Sequence, residues 1–173
     1  MKKIISVVAL FGLSACLGGG DSSSDSGVDL TPDTPDVAMN MDFGTQLNGM
    51  RMAGTEVDYD ATAGRAAQIH ANDMFEKDYL SIFLPGTTAP MGGEKDIGDT
   101  LNELGLTWQD IGQFIAQGDF TTTTLLDEWA TNGSQGDGSA AEDLTFEDFE
   151  LFGLAKAGSG SDQRWVLVLV NPD

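Results

Sequence analysis

One imidazole, one thiol and 28 carboxylates carry most of the chemistry open to this chain of 173 residues. The imidazole is His70. Zinc sites are commonly built on more than one neutral imidazole, and a single histidine cannot assemble a two-histidine centre. The stretch "DIGQFIAQGDF", residues 110–120, has the spacing of a short apolar strand edged by glycines. It places an amide, Gln113, beside Phe114. An amide does not ionise, so Gln113 cannot act as a general base near neutral pH. No G-x-S-x-G signature pairs a serine with His70. Asp137, Glu142, Asp143, Glu147 and Asp148 could offer oxygens to calcium, but their spacing is not that of an EF-hand loop. They read as a solvated acidic loop. The glycine-rich runs "GGG" and "GSGS" lack the lysine and the strand-to-helix context of a phosphate cradle. They read as linker and turn.

The thiol belongs to Cys16. The chain opens "MKKIISVVALFGLSAC", with Lys2 and Lys3 ahead of ten largely apolar residues, Ile4 to Leu13. That run is too short to span a hydrocarbon core of about 30 Å and has the form of a secretion signal. Leu13-Ser14-Ala15-Cys16 resembles the bacterial lipobox, which implies diacylation of the Cys16 sulfur and cleavage before it. Residues 1–15 are thus expected to be a lipoprotein signal peptide. Residues 16–39 carry the lipidated cysteine and a disordered acidic Gly/Ser/Pro tether, and 40–173 form one domain. Two acyl chains anchor stably, so the membrane is the first expected partner. Leu17, rather than aspartate, follows the cysteine. In a Gram-negative host this resembles the outer-membrane sorting choice, and the domain is expected in the envelope, outside the cytoplasm.

With 8 Lys+Arg against 28 Asp+Glu the formal charge is −20, and loss of the two leader lysines takes it to −22. Phosphate binding needs clustered cations, so nucleic acid is excluded as a natural partner. With one cysteine, no intrachain disulfide can form. The domain must be held by its core.

Four helices and three strands are expected to supply that core. Phe43, Leu47 and Met50 recur at helical spacing, with Gly54 as a C-cap. Asp60 can cap a second helix with the stripe Ala63, Ala66, Ala67, His70, Ala71 and Met74. The small side chains invite close packing, and His70 on that stripe reads as a buried structural histidine rather than a base. Asp96 can cap a third helix through Ile97, Leu101 and Leu104, ended by Gly105. Thr122 to Thr124 precede a fourth, with Leu125, Leu126 and Trp129 inward. Phe114-Ile115-Ala116 reads as a short strand, Glu150 to Lys156 as another, and "RWVLVLV", 164–170, as a central strand buried on both faces. "AGSGSDQ" between the last two is a hairpin loop. The pattern predicts an α+β fold, a three-layer α-β-α sandwich.

Five segments then match a known family. "QLNGMRMAG", "YDATAGRAAQIHANDMFEKDYLS", "LGLTWQDIGQFIAQG", "LLDEWATN" and "FELFGLAKAGSGSDQRWVLVLV" resemble, in order, the successive motifs of the CAP superfamily, or SCP-like extracellular domain. The likeness covers about residues 43–171. It implies the same three-layer sandwich, around a central mainly antiparallel sheet, and a large cleft that often holds two His and two Glu. In this chain Ile82 stands where the first histidine falls, and the segment holding the second has none. Gln113 stands for the glutamate of the Gly-Glu-Asn strand and Phe114 for its asparagine. The remaining cleft glutamate corresponds to Glu94.

The cleft is therefore expected to be degenerate at Ile82, Glu94, Gln113 and Phe114, with no metal, no cofactor and no catalytic residue. The expected function is a lipid-anchored, non-catalytic binding module for a hydrophobic small molecule or a cationic protein partner. A structural envelope protein without a small ligand, or a hydrolase of the CAP type, are the alternatives.

Overall fold

The computed structural model describes residues 34–136 and 138–173. Cys16, the leader and nearly all of the tether lie outside the described residues, as does Asp137. No helix among the described residues is long and apolar enough to cross a membrane.

The first helix, α1, runs Val37–Met50 and is capped by the Asp36 side chain, which accepts from Met39 N at 3.0 Å. It starts inside the stretch assigned to the tether. Asp36 supplies the stop for one and the start for the other. Arg51, not Gly54, ends α1, its backbone N–H donating to Asn48 O; Gly54 (φ 91°) instead serves a later turn. Strand β1 is the two-residue Asp58–Tyr59. Helix α2, Ala61–Glu76, begins at Asp60, whose carboxylate accepts from Thr62 N and Ala63 N, as the sequence predicts. Helix α3, Ile97–Glu103, carries a reciprocal cap between Asp96 and Asp99. Helix α4, Thr122–Asn132, is capped by Thr121, so the threonines form its first turn rather than precede it.

Strand β2, Trp108–Gln117, is far longer than the three residues expected. Its outer half carries Gln109, Asp110 and Gln113, and this polarity hides it from a hydrophobicity reading. Strands β3 (Leu151–Ala157) and β4 (Arg164–Pro172) form the expected hairpin. The sheet order is β1-β3-β4-β2, with β1 parallel to β3 and the other pairs antiparallel.

β4 is central, and Arg164 to Val170 are buried without a break. Strand alternation divides them. Trp165, Leu167 and Leu169 join Phe43, Leu47, Leu125 and Trp129 beneath α1 and α4. Val166, Val168 and Val170 join Ala63, Ala66, Ala67, Met74, Ile97 and Leu101 beneath α2 and α3. These are the three layers. The alanine stripe lets α2 lie on the sheet backbone: a Cβ added at Gly153 of β3 would stand 2.0 Å from Gly64 N.

β2 is an edge strand, and edges must be protected. Ser134, Gln135 and Ser139 do so hydrogen bond by hydrogen bond. Gln113 N and Ile115 N donate to Ser139 Oγ and Ser134 Oγ, each at 2.9 Å. Gln113 O and Ile115 O accept from Ser139 N and Gln135 N.

Candidate functional site

The alternation of β2 decides what faces the cleft. Ile111, Gln113 and Ile115 point to the α2–α3 side, and Phe114 points the other way. Phe114 is fully buried against Trp129, ring centroids 5.8 Å apart, in the α1–α4 core. It is therefore not a cleft residue, and the expectation that places it among the cleft positions is corrected. Adjacent strand residues cannot line the same groove.

Beneath Gln113 lies His70, fully buried on α2. Its Nε2 is 2.7 Å from Ser81 O, and a carbonyl can only accept. Nε2 therefore carries the proton. Burial pushes the His70 pKa below its ordinary value, against the Ser81 hydrogen bond and the charges of Asp73 and Asp96. The ring is neutral at pH 7, and Nδ1 is left as an acceptor. The atom facing it, at 3.4 Å, is Gln113 Nε2. The amide nitrogen thus turns down to the imidazole, and its oxygen is left on the other side. No hydrogen bond reaches Gln113 Oε1 among the described residues.

The segment between α2 and α3 forms the opposite lip. Tyr79 donates to Asp73 Oδ2 at 2.6 Å, and burial, reinforced by that carboxylate, raises its pKa. Asp78 takes a positive φ of 52°, tolerable for aspartate, and pairs with the buried Arg164 at 2.8 Å. Arg164 also holds Tyr79 O. These contacts fix Ser81 over His70 and bring Ile82 to the rim. Further on, Leu84 bridges Lys95 and returns the chain to α3.

The result is an open cleft of about 300 Å³ lined by Ile82, Asp96, Ile97, Ile111, Gln113, Gly138 and Ser139. Two of the expected positions, Ile82 and Gln113, lie there together. Glu94 does not line the cleft: it is exposed and accepts from Gly86 N at 3.3 Å. The carboxylate in the wall is Asp96, which the sequence shows only as a helix cap. Ile111 could have been found from Gln113 by a period of two. Asp96 and Ser139 could not, because loops of unpredictable path deliver them. Asp96 Oδ1 is engaged with Asp99 N at 3.0 Å. Among the described lining residues Asp96 is the single acid, and there is no cation and no imidazole. Among the described residues no group of three His, Cys, Asp or Glu is placed to hold a metal ion.

No protein-family model and no curated protein matches the sequence. Solved structures do match. An extracellular protein containing an SCP domain from Bacillus anthracis str. Ames is similar with a TM-score of 0.55 at 20% identity, over 75% of this chain and 39% of that chain. An outer surface protein of Borrelia burgdorferi is similar with a TM-score of 0.61 at 15% identity, over 83% of this chain and 100% of that chain. This chain thus spans well under half the length of the Bacillus protein. At such identities the likeness is one of architecture: this chain carries a domain of the CAP/SCP-like fold.

Proposed function

We propose that this domain is a non-catalytic binding module of the bacterial envelope, held by a lipidated Cys16, whose cleft takes a small ligand with an apolar body or the side chain of a protein partner. The observation that carries this reading is the position of His70. The chain's single imidazole is sealed under the cleft floor, with one ring nitrogen on Ser81 O and the other facing the Gln113 amide. An acid–base reaction needs titratable groups within reach of the ligand. The described lining offers one carboxylate, Asp96, and an amide in place of the second. Ile82, Ile97 and Ile111 give the walls an apolar character suited to holding a ligand body. The extracellular and outer-surface neighbours support a place outside the cell.

Native mass spectrometry of the protein from its own host tests this, with Ile82→Arg as the blocked-cleft control. The wild type is expected to carry an added mass or a partner that the variant lacks. An empty cleft in both, together with hydrolysis of peptide substrates that His70→Ala abolishes, overturns the reading.

A further inference from the structure

We propose that the group this cleft selects is an alkylammonium, with Gln113 Oε1 and the Asp96 carboxylate as its acceptors and the three isoleucines around its aliphatic stem. The inference rests on the cleft being the binding site, and it adds the polarity of the ligand.

The argument is a census of donors and acceptors. The proton on His70 Nε2 is fixed by Ser81 O at 2.7 Å, which makes Nδ1 an acceptor and draws the amide nitrogen of Gln113 toward it. What Gln113 can show the cleft is its carbonyl oxygen, an acceptor only. Asp96 is likewise an acceptor. Gln113 N is already taken by Ser139 Oγ, and Ser139 N by Gln113 O. The described lining contains no Lys, Arg or imidazole. Lys95, next in sequence to Asp96, is paired with Glu103. A carboxylate ligand would meet one neutral donor, the Ser139 hydroxyl, whose oxygen accepts from Gln113 N, and no cation among the described lining residues, whereas an ammonium supplies three donors and a charge opposite to that of Asp96. A protein of formal charge −20 also draws cations toward it. Ile82, Ile97 and Ile111 then cover methylenes, as apolar surface does for a lysine stem.

The test uses the full chain and three probes of equal length: butylammonium, butyrate and butanol, titrated while the methyl resonances of Ile82, Ile97 and Ile111 are followed. Butylammonium is expected to shift all three and to bind more tightly than either of the others. Asp96→Asn keeps a helix-capping side chain and is expected to weaken butylammonium about fivefold, the loss of one partly exposed charge pair. Gln113→Met keeps the volume and is expected to weaken it about tenfold or more, through the loss of a hydrogen bond to a charged group. Butanol or butyrate binding as tightly as butylammonium overturns the inference while leaving the cleft as a binding site. If no probe moves the three methyls, the inference falls, and the native-mass measurement decides the broader reading separately. A Gly-Lys-Gly peptide separates two sources of the same chemistry. Tighter binding than butylammonium marks a lysine side chain of a protein partner, and weaker binding marks a free small amine.

Discussion

At the scale of the residue, His70 joins the core to the cleft. It is fully buried, and its ring is a neutral relay between a backbone carbonyl and an amide. A nitrogen spectrum of the intact protein at pH 7 is expected to show a protonated Nε2 and a bare Nδ1; a protonated Nδ1 would reverse the orientation of Gln113. The same burial makes stability depend on pH. Burial holds the folded pKa below the ordinary 6.5. Below pH 6.5, then, the unfolded chain takes up a proton that the folded chain refuses, and unfolding gains. Stability attributable to His70 is complete above that value and is lost as pH falls toward the folded pKa, at up to about 1.4 kcal/mol per pH unit. Urea unfolding of wild type and His70→Gln from neutrality to pH 5 measures it. The wild-type curve is expected to fall more steeply than that of the variant, and parallel curves would show that folded His70 protonates freely.

At the scale of the element, α2 rests on β3 with no room for a side chain between them at Gly153. Gly153 carries no Cβ because Gly64 N would lie 2.0 Å from it, with Ala63 C at 2.3 Å. These are backbone atoms and cannot turn aside. Gly153→Ala is expected to push α2 off the sheet and cost about 2–3 kcal/mol, the upper range for overpacking. Gly49→Ala is the contrast, because nothing lies within 4 Å of its added Cβ and it sits inside α1, where alanine is the better helix former. Chemical denaturation should therefore move the two midpoints in opposite directions, and a neutral Gly153→Ala would mean that α2 does not rest on the sheet. The stripe behind this contact was legible in the sequence, because Asp60 and Asp96 mark helix starts and alanine spacing marks a face. β4 was legible for the same kind of reason, being apolar on both sides. β2 was not. An edge strand whose ladder is completed by serines of a loop carries amides and acids that mimic a loop's composition. The cleft was half legible: Ile82 and Gln113 sit in it, whereas Phe114 obeys the strand period and leaves it. Glu94 leaves it because Asp96, two residues on, is the residue that the turn into α3 delivers.

At the scale of the whole molecule the charge decides. Of eight cations, Lys2 and Lys3 lie in the leader, outside the described residues. The other six are engaged. Lys77, Lys95 and Arg164 pair with Asp73, Glu103 and Asp78. Arg51 holds the carbonyls of Leu144, Phe146 and Phe149. Lys156 lies 4.9 Å from the Trp165 ring centroid, and Arg65 is engaged as well. Arg65, Lys77 and Lys156 are themselves exposed, but carboxylates far outnumber them and the surface carries a large negative excess. Two salt effects oppose each other. Screening weakens the three ion pairs, but each has one partner open to solvent, and pairs of that kind contribute about 1 kcal/mol or less each. It also relieves repulsion spread over the whole surface, which net charge of this size sets against the compact state. The second term acts on every acid and should win. Raising sodium chloride from about 0.02 M to about 0.3 M shortens the screening length from more than 20 Å to below 8 Å. The thermal midpoint is expected to rise by about 2–4 °C, equivalent to about 1 kcal/mol for a chain of this size. Over the same range butylammonium binding should weaken, because screening acts on the attraction that draws it in. Opposite signs for stability and for binding are the signature of a body that repels itself and attracts cations. A midpoint that falls with salt would assign the stability to the ion pairs instead.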